Sequence, residues 1–362
     1  MKRFFVFLAV SFATWIVTDA CTSAIVSGSL TKSGRPIVWK NRDTGVEDNF
    51  IAQDQEPGCY KFVGLYNAGD SLLRDAWAGF NEAGLVIMNT ASYNLAPDTA
   101  SFVDQEGYVM RRALSTCRNL AEFEHLLDTI AKPAGIQANF GVMDASGNGA
   151  YYEADDYKYK KYPLAEESGG YIVRTNYSYS GVPDAGYGYI REQNAFHLLA
   201  PYVSTKAVTP EVFTDGLSRS FFHSLFGRDM SVTDDTWIVD QDFIPRYTST
   251  ASVAIELPGK DEPAGAVVMW VSLGYPPCSY VKAVTIDNIP EELQPDSTTW
   301  HSKFCDEVVA RKHEVFQIHR GSGSHYIHVP TLNKYNSDMR EKSTKCYSQY
   351  ELIHEMLLKR IK

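Results

Sequence analysis

Six cysteines in 362 residues, at positions 21, 59, 117, 278, 305 and 346, are too few for a disulfide-held scaffold, and no two stand as C-x-x-C. That removes thioredoxin-type and zinc-ribbon chemistry, and it leaves an odd five once Cys21 is set aside, so at least one thiol stays free unless it pairs with another chain. Positive charge is also short: 34 Lys and Arg face 44 Asp and Glu, a net charge of −10, with no long basic block to form a nucleic-acid footprint. After Val17 there is no apolar run near the roughly 20 residues that a membrane-spanning helix needs. Gly321-Ser322-Gly323 lacks the third glycine and the preceding strand of a dinucleotide loop, and reads as a connector. Nine histidines are present, but His313, His319, His325 and His328 give only one close pair, with no nearby cysteine or clear carboxylate, so no metal is expected. There is no internal repeat and no low-complexity tract.

What is present begins with Lys2-Arg3, a mainly apolar stretch from Phe4 to Val17, and Thr18-Asp19-Ala20 with small residues at both cleavage positions. This is the order of a secretory signal, so the expected mature chain starts at Cys21 and is secreted or periplasmic. A hydrophobic fraction of 44% supports a sizeable core. Small molecules are the expected partners.

Thr22 to Ser27 and Pro36 to Lys40 read as strands paired around Thr31-Lys32-Ser33-Gly34, and Asp75 to Phe80 pairs with Leu85 to Asn89 around Asn81-Glu82-Ala83-Gly84. Helices are expected over Gly107 to Cys117 and behind Asn119 as N-cap, where Leu120, Phe123, Leu126, Leu127 and Ile130 recur at helical spacing until Pro133. Strand character returns at Asn139 to Asp144, Ala150 to Glu153 and Tyr171 to Thr175. Helices follow at Ile190 to Leu199 and after Thr209-Pro210-Glu211, then strands at Thr236 to Val239, Ala251 to Leu257 and Ala266 to Ser272. Lysines in Tyr157 to Tyr162 decorate an exposed edge. From Asn288 the chain turns polar, and Trp300 to Lys362 reads as two helical stretches around Arg320 to Ser324. This order predicts helices on antiparallel sheets, an α+β arrangement, rather than a doubly wound fold.

A cysteine exposed at a new N-terminus is chemically special, because its own α-amine, with a pKa of about 7.7–8.0, serves as base near neutral pH. One residue then supplies nucleophile and base. The plainer alternative is a buried or disulfide-bonded Cys21.

Cys21-Thr22-Ser23-Ala24-Ile25-Val26, followed by Trp39-Lys40-Asn41-Arg42-Asp43, resembles the opening of the N-terminal-nucleophile amidases that include choloylglycine hydrolases, penicillin V acylases and the isopenicillin N acyltransferase group. Asn41 and Asp43 match the family's Arg/Gln-Asn-x-Asp element, while Lys40 stands where the bile-salt-hydrolase branch often has arginine; Lys40 and Arg42 are the candidate substrate contacts. Further matches are Gly79 to Leu85 with Asn89 after it, Asn139 to Asp144 leading to Glu153, Arg174-Thr175-Asn176, and Pro245 to Thr250 where a late arginine is expected. The resemblance spans roughly Cys21 to Leu273 and implies a four-layer αββα sandwich over residues 21–290, after a signal peptide over 1–20 and before a helical extension over 291–362.

The resemblance also implies roles. Cys21 is the nucleophile, Asp43 holds its amine and thiol, and Asn176 with the main-chain N–H of Asn89 receives the oxyanion. Arg246 orients these groups or the scissile carbonyl. The expected reaction is hydrolysis of a linear amide C–N bond through a thioester, without cofactor. A dipeptidase or an acyltransferase shares the same acyl-enzyme. A non-catalytic surface lipoprotein lipidated at Cys21 is the rival from another class, although Thr18 stands where lipid-attachment signals prefer leucine.

Overall fold

Alternating and continuous apolar runs dictate two antiparallel sheets. The computed structural model describes residues 20–96, 104–319 and 325–361, so the signal segment and the connector at 320–324 lie essentially outside it. Its strands are β1 (Thr22–Val26), β2 (Ile37–Asp43), β3 (Asn49–Asp54), β4 (Phe62–Asn67), β5 (Ala78–Asn81), β6 (Val86–Ala91), β7 (Ala138–Met143), β8 (Gly149–Ala154), β9 (Tyr159–Pro163) and β10 (Tyr171–Arg174). After these come β11 (Phe222–His223), β12 (Arg228–Asp229), β13 (Trp237–Val239), β14 (Ser249–Glu256), β15 (Val268–Leu273), β16 (Lys282–Val284), β17 (Ile318–His319) and β18 (His325–His328). The helices are α1 (Glu106–Thr116), α2 (Leu120–Thr129), α3 (Tyr189–Ser204), α4 (Lys303–Val315) and α5 (Val329–Ile361).

One sheet runs β10-β1-β2-β14-β15-β16 and the other β3-β4-β5-β6-β7-β8-β9. Strand parity sorts their side chains. Ile25, Val38, Val253 and Val271 meet Val63, Val86, Met88 and Met143 between the sheets. Trp39, Ala254 and Trp270 face outward to Ala195 and Leu199 of α3. On the far side Phe62, Phe140 and Tyr152 face α1 and α2. Three apolar layers thus separate four structural ones, and the αββα architecture is what the structure shows. Among the described residues no helix is long and apolar enough to cross a membrane.

Local chemistry explains the boundaries. Asn81 Oδ1 accepts from the N–H groups of Ala83 (3.1 Å) and Leu85 (3.0 Å). Gly84 takes φ +82° in the same turn, a left-handed conformation that a side chain would strain. Asn119 Oδ1 accepts from Glu122 N–H at 2.9 Å and starts α2. Phe123 is then fully buried edge-on to Phe140 and Tyr152, a contact whose truncation to alanine costs about 3–5 kcal/mol.

Two expectations need adjustment. The helix after Thr209 is irregular, a π-turn over Val212–Gly216 running into a 3₁₀ turn over Leu217–Arg219; the widened turn lays Phe213 on Trp39, ring centroids 5.2 Å apart. Trp237 to Val239 is a strand, but it joins β18 and β17 in a separate three-stranded sheet. Through that sheet and α4 the tail joins the main core, with Phe304, Val308, Phe316, Ile327 and Leu332 in the same buried apolar cluster as the facing sides of the two sheets. All six cysteines are free thiols. Burial pushes Cys278 and Cys305 up to about 12.

Candidate active site

β1 and β2 pair with Thr22 opposite Asn41. Extending that register brings Ala20 to Asp43, where the Ala20 N–H donates to the Asp43 carbonyl at 3.2 Å. Cys21, 5% exposed, has its Sγ 3.9 Å from the same carbonyl oxygen. The start of β1 and the end of β2 therefore meet at one edge of the sandwich.

The Asp43 carboxylate is wholly buried and richly supplied with donors. Oδ1 accepts from Ser249 Oγ at 2.6 Å and Asn41 Nδ2 at 2.9 Å, and Oδ2 accepts from Arg246 Nε at 2.8 Å. Burial pushes the carboxyl upward, against the pull of the Arg246 and Arg191 guanidiniums and Ser249; with three donors on the anion, the ion pair is the form this geometry holds. Arg246 Nη2 donates to the Ala20 carbonyl at 2.9 Å.

Asn176 follows β10 and is fully buried. Its Nδ2 donates to the Ala91 carbonyl at 2.9 Å, at the end of β6, and its Oδ1 accepts from Arg191 Nη2 at 2.8 Å. Asn89 lies on β6, where its Oδ1 accepts from Lys40 Nζ at 2.7 Å.

Lys40 and Arg42, the candidate substrate contacts, alternate with Asn41 and Asp43 and point into the layer between the sheets. They are 1% and 2% exposed. Lys40 Nζ also donates to the Trp77 carbonyl at 2.9 Å. Arg42 donates to Asn49 Oδ1 and, at 2.8 Å, to Asn67 Oδ1, and lies 5.0 Å over the Trp77 ring. Both donate to protein oxygens and tie one sheet to the other.

Three contributors escape sequence reasoning. Arg191 lies on α3 with no motif around it. Ser249, three residues after Arg246, accepts from its N–H at 3.0 Å, a turn signal within Pro245 to Thr250. Asp240 accepts from Tyr247 N–H at 2.8 Å, and the tail fixes this segment: His325 stacks on Tyr247 with centroids 3.6 Å apart, and Lys312 Nζ lies 4.3 Å over the same ring.

His325 and His328 make ring contacts, the latter with Trp237, and His313 Nε2 lies 3.0 Å from Glu47 Oε2. Among the described residues, one set of potential metal ligands, Asp48, His301 and Asp306, sits at the loop after β2 and shares no residue with the Cys21 site. An open groove of about 970 Å³ around Ser27, Asn119, Asp144 and Lys161 includes none of the site residues.

Asp240 Oδ1 is buried without a hydrogen bond. Burial, resisted by the Tyr247 N–H, Arg246 and Lys312 and reinforced by Asp43, pushes its carboxyl up to about 7. Because the folded value lies above an unfolded value of about 3.9, the native state holds this proton more tightly; the resulting stability is fully present below about pH 4 and is lost as pH rises through about 7. Asp240→Asn should therefore flatten the melting temperature between pH 5 and 8. Parallel melting curves for variant and wild type across that range would show that Asp240 does not titrate there.

Residues 29–210, half of the chain, match the family described as acyl-coenzyme A:6-aminopenicillanic acid acyl-transferase. The chain belongs to that family. The match includes Asp43, Asn89, Asn176 and Arg191, and begins eight residues after Cys21. Among solved structures, similar folds include a variant of the conjugated bile acid hydrolase of Clostridium perfringens, with TM-score 0.45 and 10% identity over 75% of this chain and 94% of that one. The Caenorhabditis elegans ortholog of N-acylethanolamine-hydrolyzing acid amidase gives 0.41 and 14% over 67% and 95%, and penicillin V acylase of Agrobacterium tumefaciens gives 0.37 and 13% over 74% and 87%. Among curated protein sequences nothing matches. Membership in the acyl-transferase family marks the chain as an enzyme of the hydrolase or acyltransferase kind.

Proposed function

We propose that this protein hydrolyses a linear amide C–N bond with Cys21 as nucleophile, after export and cleavage of the Ala20–Cys21 bond free its α-amine. The observation that carries this is the convergence on the residues flanking the Ala20–Cys21 bond: Arg246 holds the carbonyl of that bond, the Asp43 main-chain carbonyl takes the Ala20 N–H just before it, and the Cys21 thiol just after it lies against the same Asp43 carbonyl. In this reading the thiolate attacks the substrate carbonyl, and the oxyanion forms on Asn176 Nδ2 and the main-chain N–H of Asn89. The amine leaves with the proton that the Cys21 α-amine has taken from the thiol, and water then opens the thioester. Arg246 Nη2, released from Ala20 by cleavage, is available to the substrate carbonyl. Lys40 acts on substrate through Asn89, whose side chain it holds. The balance needs no cofactor.

The family's name favours a second outcome at the same acyl-enzyme, transfer to an amine in place of water. Added amine acceptors separate the two: N-acyl product that rises with acceptor at the expense of free acid is transfer.

The intact mass of the purified protein, read beside amide turnover, tests the main proposal. A form shown by mass to retain residues 1–20 should be inert, since an intact peptide bond removes the base. Full turnover by that form would overturn the mechanism.

A further inference from the structure

Arg191, near the start of α3, is 1% exposed, and its guanidinium lies beneath the site. Nη1 donates to the Cys21 carbonyl at 2.6 Å and to Thr22 Oγ1 at 3.0 Å, and Nη2 donates to Asn176 Oδ1 at 2.8 Å. Every one of these acceptors is neutral, and Nε is buried with no hydrogen bond at all. A buried cation without a carboxylate in hydrogen-bond contact is a net cost to stability. The backbone makes room for it: Gly188, at φ +90°, has its Cα side open to the guanidinium, and a Cβ there would come within 2.4 Å of Nη2.

An amide side chain has two ends of nearly equal shape and opposite hydrogen-bonding sense. Here Arg191 grips the oxygen end of Asn176 and the Ala91 carbonyl grips the nitrogen end. A cationic donor on Oδ1 also draws electron density from the amide and strengthens its N–H groups as donors. We propose that Arg191 is a positioning residue for the acyl-transfer step: it orients and polarises Asn176 so that Nδ2 can receive the oxyanion, while its second nitrogen anchors the Cys21 carbonyl. This rests on the Cys21 and Asn176 assignments above.

A double-mutant cycle on the full processed chain tests it, with steady-state turnover of an acyl p-nitroanilide and a thermal melt of each preparation. Arg191→Gln should lower kcat and kcat/KM together by about 10–10², within the range for losing part of an oxyanion-hole donor, with KM little changed. In the Asn176→Ala background the same substitution should cost less than about threefold, because coupled residues are not additive. Arg191→Lys, which keeps the charge, should recover part of the loss and carries the cycle if Arg191→Gln does not fold. If Asn176→Ala is slow but the arginine substitution costs the same factor in both backgrounds, Arg191 does not act through Asn176, and the oxyanion assignment survives. Wild-type turnover by Asn176→Ala would overturn both.

Discussion

Cys21→Ser should lower amide turnover by about 10³-fold or more while leaving the fold intact. Loss of a nucleophile removes the covalent route altogether, and such losses run to several orders of magnitude in kcat. Oxygen for sulfur keeps the shape of the side chain, but the hydroxyl is far harder to deprotonate, and an α-amine that suffices for a thiol does not suffice for it. The folded state has little to lose. Sγ lies 3.9 Å from the Asp43 carbonyl, a contact that a serine hydroxyl can also make, so the melting temperature should move by no more than the equivalent of about a kcal/mol. The check is a single preparation assayed for turnover and for cooperative unfolding. A variant that turns over normally, or one that no longer melts cooperatively, would make Cys21 a structural residue.

Asn176→Ala carries the next largest expected effect, a fall of about 10²–10³ in kcat, which is what removal of one oxyanion donor produces. Because that contact strengthens as the tetrahedral state forms, kcat and kcat/KM should fall together. A stability change is also expected, since the Asn176 side chain bridges Arg191 and the Ala91 carbonyl and its loss strands a buried cation. Kinetics and melting therefore have to be compared on one sample. Early melting with normal turnover would leave Asn176 a structural bridge and the oxyanion hole without its side-chain donor.

Much of this arrangement was legible in the sequence because it is local. The hairpin around Asn81 and the Asn119 cap depend on residues within a few positions of one another, the β1–β2 pair joins strands adjacent in the chain, and the structure contains all three. Parity along β2 was equally readable: Lys40 and Arg42 share a face with Val38, which is core. The resemblance made them candidate substrate contacts, and in the fold they donate to amide oxygens of Asn49, Asn67 and Asn89. Arg191 and Asp240 were not legible. Arg191 meets Cys21 across 170 positions, and β13 finds its partner in β18 near the end of the chain. No periodicity encodes such pairings; they follow from how the layers close.

The way the tail grips residues 240–247 has a consequence for the order in which the molecule assembles. Asp240 N–H donates to the His325 carbonyl at 3.0 Å, and the Tyr247 ring is enclosed by Lys312, Phe316 and His325. Arg246 sits between those two anchor points, so the arm that reaches Ala20 is not braced until α4 and β18 exist. Contacts this distant in sequence form late, since the loop they close must be ordered first. A chain that has not yet packed α4 and β18 therefore has β1 in place but an unfinished clamp around Arg246, and the proposed centre is expected to stay inactive until those two elements dock.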